Sequence, residues 1–449
     1  MGNPLTVFRS LSGRERAKAG ILFSWFFLMI TTLWLLKPIR QASLLAQLGP
    51  TELPYARLGA VVAVALVVLV YSRVVDRLTR LQVASGANVV FAGVLIAFWI
   101  ALRIGGDALG AQRWFVWAVF ILVDIYSTVM VGIFWTYTND VMTRAEADKL
   151  YGPIGLGGIL GGIAGGGMVD ALVQWIGHVD MLLICVALVV MCAALVWAGE
   201  AYLRPPPRRA RVAHRARFGP ALEGARLVAH SRYLMLIVGI VLAYEFAAAT
   251  TDFAVSVVLA RDFPDQTELA RMFGRIGWTV SIVALISQLV IVPVVLPRKR
   301  LALLLPPAAM GLAAVGFAFA PIVIMAVVLT ASDRGFNYSV QQATKETLYV
   351  PLGDSEKYKA KAFIDMFVDR SGKAFSSIAL MVMIAIAGVS ITSALVIALA
   401  AIVCWIACAR LLARTYAHTI TGELGYRGRS ASAMCQPNTG AASTTTRAP

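Results

Sequence analysis

The chain has 449 residues, 59% of them hydrophobic and only 14% charged, with a formal net charge of +16. That composition excludes an ordinary soluble globular domain, in which about 45–50% of residues are apolar, and points to a polytopic membrane protein. The excess of cations lies between apolar segments, where membrane topology accounts for it, so no nucleic-acid partner is expected.

A bilayer core takes about 20 mostly apolar residues per helix. Twelve such segments are predicted in chain order, over 19–41, 55–75, 82–104, 113–141, 152–173, 178–201, 233–258, 272–296, 300–319, 322–344, 362–386 and 390–412. The first follows Arg9, Arg14, Arg16 and Lys18 and could pass for a signal peptide. Its apolar run is longer than a signal core and has no small-residue cleavage site before Lys37, so it reads as helix one. Near its far end "LLKPIRQASLL" carries Lys37 and Arg40, which are three apart and share a face, with Pro38 placed to bend the helix. Anchoring by snorkelling is the alternative role for these two cations.

The second loop contains "DRLTR" (Asp76, Arg77, Arg80), and helix four carries Asp124 within "FILVDIYSTVM". After helix four, "NDVMTRAEADKLYGPIGLGG" places Glu146 at the entry to helix five. The glycines of "GLGGILGGIAGGGM" fit neither a dinucleotide turn nor a phosphate loop ending in Gly-Lys-Ser/Thr. Gly157/Gly161, Gly158/Gly162 and Gly162/Gly166 are four apart, a smooth stripe on which another helix backbone can pack closely.

A proline- and arginine-rich stretch, "YLRPPPRRARVAHRARFGPALEGARLVAHSR", then divides the chain. The expected organisation is a first six-helix bundle (1–201), a basic linker (202–232), a second bundle (233–412) and a polar tail (413–449) that is largely disordered. In the second set, Glu245 of helix seven lies roughly 18 Å from the membrane entry at the 1.5 Å rise of a helix, near mid-depth. Asp333 and Arg334 of helix ten reach a similar depth. In helix eleven, "EKYKAKAFIDMFVDRSGKAF" carries Lys361, Asp365, Asp369, Arg370 and Lys373 into an apolar segment.

At the centre of a membrane helix each such charge costs roughly 2.5–3.5 kcal/mol, so these groups should face one water-filled cavity. Mutual neutralisation is the competing role: Lys361 with Asp365 and Asp369 with Lys373 are i,i+4 pairs, whereas Asp333 and Arg334 point to different sides of their helix and need other partners. Convergent cations suit an anionic substrate, arginine by a two-point grip on phosphate or carboxylate and lysine as a mobile charge. Five cysteines and four histidines show no metal-ligand spacing, so no metal or cofactor is expected. Basic even-numbered loops put both termini in the cytoplasm.

The two sets of six helices look alike, each with a polar helix end, a charged loop and an acid–Lys pair before its fifth helix. Internal repetition of a six-helix unit is the mark of the major facilitator architecture, and "DRLTR" resembles that superfamily's Asp-Arg-x-x-Arg loop. The expected fold is therefore all-α integral membrane, with twelve transmembrane helices in two major-facilitator-like bundles. More specifically, "KPIR", "EADKLYGPIGLGG", "YEF", "ATKETLY" and "EKYKAKAFIDMFVDRSGK" resemble the ATP/ADP translocase family of plastids and bacteria over roughly residues 15–412. The resemblance implies nucleotide exchange and roles in transport for Arg40, Glu146, Glu245 and Lys373.

With Lys37 and Arg334, these make the candidate substrate-binding set. Asp124, Asp333, Asp365, Asp369 and Arg370 are candidate coupling or structural charges. Family members often place lysines soon after the helix-seven acid, where this chain has "AAATTD". The expectation is a monomeric secondary transporter, not an enzyme, in the bacterial inner membrane, exchanging an anionic, phosphorylated metabolite by alternating access. A major-facilitator transporter of another organic anion, a transporter-shaped sensor and a membrane enzyme acting on a phosphorylated or lipid substrate are the alternatives.

Overall fold

Helices begin where the sequence supplies caps. Ser12 and Glu15 form a reciprocal capping box at the start of α1 (Gly13–Leu48), and Thr79 with Gln82 does the same for α3 (Arg80–Gly110). The protein's structure, a computed structural model, describes residues 12–75, 77–200, 202–203, 219–349 and 354–434. Asp76 of the "DRLTR" loop, the linker over 204–218 and the tail from 435 onward lie outside these residues.

Among the described residues there is no strand. Between α1 and α3 runs α2 (Leu53–Val75), and α4 (Arg113–Val141) follows. A third capping box, Thr143 with Glu146, opens the helical run Arg144–Gly199, which is interrupted at Gly177, where φ is 82°. If that run were straight, Gly157 and Gly199 would be about 63 Å apart. Yet both pack on the same turn of α1, Gly157 against Phe23 and Gly199 against Ile21. The chain therefore reverses at Gly177, whose missing Cβ permits the positive φ. It forms two spanning helices, α5 (144–176) and α6 (178–199).

The short helix α7 (Gly219–His230) leads into α8 (Arg232–Asp262). Then come α9 (Gln266–Ile286, continuing to Val295), α10 (Lys299–Phe319) and α11 (Val323–Thr330, continuing to Leu348). The last two spanning helices are α12 (Asp354–Phe363, continuing to Ala387) and α13 (Ile391–Met434). Ten helices among the described residues are long and apolar enough to cross a membrane. Splitting Lys149–Gly199 at Gly177 and adding the interrupted α11 gives the twelve expected.

The bundles differ in regularity. π turns occur at Ser287–Ile291, Ala331–Gly335, Asn337–Gln341 and Ile364–Val368, all after α8. Such a turn inserts a residue and rotates the side chains beyond it, and it is frequent at functional sites. In α1, Pro38 interrupts the hydrogen-bond ladder beside Trp34 without ending the helix.

α1 and α8, the first spanning helix of each bundle, are the most buried of the spanning helices. Around α1 the core is aromatic, with Trp25 edge-on to Phe134 at 5.1 Å and to Tyr137 at 5.3 Å. The α5 glycines serve two contacts. Gly157, Gly161 and Gly165 lie against backbone carbonyls of Phe23, Phe27 and Thr31 in α1, and Gly166 faces Gly274 and Trp278 of α9 in the other bundle. The stripe therefore packs α5 within its own bundle and also against the second.

Candidate functional site

Between the bundles lies one chamber of about 480 Å³. α1, α2 and α4 supply one wall and α8, α9, α11 and α12 the other. Seven cations and five carboxylates line it. Lys37, Arg40, Asp124, Glu245, Asp333, Arg334, Asp369, Arg370 and Lys373 all reach this space, so nine of the residues singled out in the sequence are brought together.

The charges are arranged by bundle. Arg40 pairs with Asp124 at 2.6 Å, donates to the Phe120 carbonyl at 3.0 Å and lies over the Phe120 ring. In the second bundle Lys373 pairs with Asp369 at 2.8 Å, the expected i,i+4 contact. Arg334 finds the outside partner it needed in Asp252 of α8, at 2.5 Å. Asp252 also takes Arg57 of α2, so one carboxylate holds a guanidinium from each bundle.

Lys37 and Arg370 have no carboxylate within ion-pair distance among the described residues. Lys37 stands over the Trp34 ring at 5.1 Å, and Arg370 donates to the Thr128 hydroxyl at 2.9 Å. These two lining cations are the ones left for a ligand. Asp333 is only 8% exposed, and its Oδ1 has no hydrogen-bond partner among the described residues.

Two candidates lie elsewhere. Glu146 caps α5, accepting from the Thr143 backbone at 2.7 Å, and pairs with Lys18 at 2.8 Å near the chain's amino-terminal end. Burial works against its charge, but Lys18 and Thr143 hold its carboxyl below the ordinary carboxylate range. An acid three residues after a threonine at a helix start is a capping position, and here that geometry keeps it out of the chamber. Asp365 does not line the chamber either. The expected Lys361–Asp365 pair is replaced by Lys361–Glu346 and Lys345–Asp365, each at 2.6 Å. Asp365 sits in the π turn Ile364–Val368, where the i,i+4 register fails and both side chains take partners from α11.

Arg57, Asp252 and Lys345 line the chamber without having been singled out. Asp252 is seven residues after Glu245, two helical turns along the same face, and that spacing could have found it. Arg57 lies so near the start of α2 that it reads as a loop charge, and nothing in its local sequence marks it.

Ties between the bundles lie at mid-depth or toward the end away from the amino terminus. Besides Arg57–Asp252 they include Gln41 with Ser256 at 3.3 Å and Gln47 with Gln266 at 3.1 Å. Asp170 of α5 accepts from Arg271 at 3.0 Å and from Arg275 at 2.8 Å, both on α9. The geometry is a polar chamber at the interface of two helix bundles, bolted at one end by ion pairs that cross the interface.

Comparison with known proteins places this architecture. The chain resembles the crystal structure of the nucleoside transporter NupG (15% identical, 91% of this chain and 99% of that one, TM-score 0.59). It likewise resembles the POT family transporter PepTSo (13% identical, 90% and 98%, TM-score 0.61). These likenesses establish the major facilitator fold. In sequence it is similar to ADP,ATP carrier protein 1, chloroplastic, of Arabidopsis thaliana (25% identical over 294 residues, 57% of this chain and 46% of that protein). It is also similar to ADP,ATP carrier protein 1 of Chlamydia pneumoniae (21% identical over 310 residues, 58% and 59%). The chain thus spans about half the length of these curated relatives. The family model for the TLC ATP/ADP transporter matches residues 100–416, and the chain belongs to that family.

Proposed function

We propose that this integral membrane protein exchanges an anionic, phosphorylated metabolite of the ATP/ADP type across the membrane by alternating access. The observation that carries this reading is the convergence of seven cations from both bundles on one 480 Å³ chamber, with Lys37 and Arg370 lacking a carboxylate partner among the described residues. Phosphate oxygens entering there replace cavity water at Lys37 and Arg370 and compete with Asp124 and Asp369 for Arg40 and Lys373. Rocking of the two bundles, with the far-end ties breaking as that end opens, then exposes the chamber to one side at a time. The bundles are taken to move as the units 1–201 and 233–412, joined by the 202–232 linker and followed by the 413–449 tail. Glu146 has a structural part in this scheme, through its cap and its pair with Lys18.

The basic loops favour cytoplasmic termini, in a bacterial inner membrane, with the chamber facing the cytoplasm and the crossing ion pairs closing the outer end. A monomer contains the whole chamber.

A second reading is a less highly charged organic anion. Asp252 occupies both Arg57 and Arg334, and no lysine follows Glu245 in "AAATTD", which leaves few cations free for a polyphosphate. Counterflow in proteoliposomes distinguishes the two. Vesicles preloaded with unlabelled ADP should take up labelled ADP or ATP on the first reading. Uptake confined to inorganic phosphate or dicarboxylates supports the second, and no counterflow with any of them overturns transport of this class.

A further inference from the structure

We propose that Arg57 binds the anion in one half of the cycle only, when the end bolted by the crossing ion pairs (the tied end) is open, and that Asp252 withholds it in the other half. This inference rests on the transport reading and adds to it a substrate-binding residue whose use depends on the side the chamber faces.

Five cations that line the chamber are paired with carboxylates among the described residues. Four of the pairs lie within one bundle, Arg40–Asp124 in the first and Arg334–Asp252, Lys345–Asp365 and Lys373–Asp369 in the second. Bundles that turn as units leave such pairs intact. Arg57–Asp252 is the fifth, and it crosses the interface. Arg57 also donates to the Ala249 carbonyl of α8 at 3.3 Å, so both of these partners belong to the second bundle.

The position of Arg57 puts it at the tied end. It follows Leu53, where α2 begins, by one helical turn, and the short turn Pro50–Glu52 joins that point to the end of α1. Opening the tied end therefore parts Arg57 from Ala249 and Asp252. Asp252 keeps Arg334, its partner within the second bundle, at 2.5 Å. Arg57 keeps no carboxylate.

The Arg57 side chain is only 21% exposed while the tie holds, and it shares the first bundle's wall of the chamber with Lys37 and Arg40. A guanidinium left there without its carboxylate is costly, and a phosphate or carboxylate group entering from the tied end fits its planar fork at two points. When the chamber faces the other way, Asp252 already fills that fork. The anion is then held by Lys37 and Arg370 without Arg57. One more cation is thus available from the tied end than from the amino-terminal end, and the anion binds more tightly from the tied end.

Counterflow in membrane vesicles of both orientations tests this, with labelled ADP, phosphate and succinate as probes. An amino-terminal tag reports the orientation, and vesicles lacking the protein supply the blank. For a probe that shows counterflow, Arg57→Gln should raise the KM from the tied end about tenfold, the low end of what a hydrogen bond to a charged group is worth. A tie that only shuts the chamber predicts the opposite sign, because weakening it populates the state open at the tied end and lowers the KM there. A tied-end KM that falls or stays the same overturns the proposal and leaves exchange standing.

Arg57→Lys keeps the charge without the fork, so its tied-end KM should rise less, about threefold. It carries the test if Arg57→Gln does not fold, and an unchanged tied-end KM in this variant then overturns the proposal. If no probe shows counterflow in the wild type, the transport reading fails and this inference falls with it.

Discussion

The two bundles meet the chamber differently. The first presents regular helices and four charged side chains, Lys37, Arg40, Arg57 and Asp124, on a wall stiffened by the α5 glycine packing and the Trp25 aromatic cluster. The second presents eight, and all four π turns lie in its helices. Lys373–Asp369 and Arg334–Asp252 lie within the second bundle, and Asp252 also reaches across to Arg57. The first wall is thus built on regular, closely packed helices, and most of the chamber's charges lie in the second, on helices whose π turns interrupt the α-helical register.

The sharpest way to break this comparison is at Asp252. Asp252→Ala leaves two partly buried guanidinium groups without their shared carboxylate. It should cost about 3–5 kcal/mol of stability, as loss of one partner from a buried ion pair does, read as a fall in melting temperature in detergent. Asp124→Ala, in the first bundle, frees one arginine from a carboxylate that is 29% exposed, and it should cost clearly less. Equal losses would mean that the bundles do not differ in this way.

Gly166→Leu tests the contact between them. A Cβ there would come within 2.6 Å of the Trp278 nitrogen and 2.8 Å of the Gly274 oxygen, both backbone, so α5 and α9 must separate. Overpacking of this kind typically costs about 1–3 kcal/mol, and the disturbed far-end contact should slow counterflow. Gly167→Ala, with nothing within 4 Å of its Cβ, is the control and should behave as wild type.

A smaller effect separates free from paired cations. Lys37→Gln should raise the KM for counterflow about tenfold, equivalent to about 1.4 kcal/mol of binding, with melting temperature unchanged because no ion pair is broken. Lys373→Gln should lower both transport and stability, since it strips Asp369 of its cation.

The smallest effect is expected at Glu146. Glu146→Gln keeps an oxygen to cap Thr143, as Gln82 does for Thr79, but removes the charge paired with Lys18, and should lower stability by about 1 kcal/mol, with the KM unchanged because the side chain lies outside the chamber. Its carboxyl is held below the ordinary range, so the stabilisation is present in full above that range and is lost as pH falls from it through the group's own lowered value. The difference between wild type and variant, measured by thermal unfolding against pH, should therefore close in acid.

Much of this was legible beforehand. Nine of the eleven candidate residues line the chamber, because an ionised group at mid-depth in an apolar helix has few places to go other than a polar cavity. Glu146 was misplaced because "EADK" reads equally as a motif acid and as the third residue of a capping box, and only the position of Lys18 shows which contact forms. Asp365 makes a structural ion pair, but with Lys345 rather than Lys361, because i,i+4 spacing assumes an α-helix and a π turn at Ile364–Val368 breaks that assumption.

Hydropathy and glycine spacing by themselves determined that the chain crosses the membrane about twelve times, that its charges avoid lipid, and that α5 packs closely on neighbouring helices. These follow from local chemistry: the cost of exposing a polar group to hydrocarbon and the absence of a Cβ. Only the tertiary structure decided who pairs with whom, that Arg57 and Arg334 share Asp252, that Lys345 takes Asp365, and that Gly372 of α12 lets Glu245 of α8 lie against it. Those contacts join residues far apart in the chain, or across a π turn, and they depend on how helices rotate and approach one another, which no short stretch of sequence encodes.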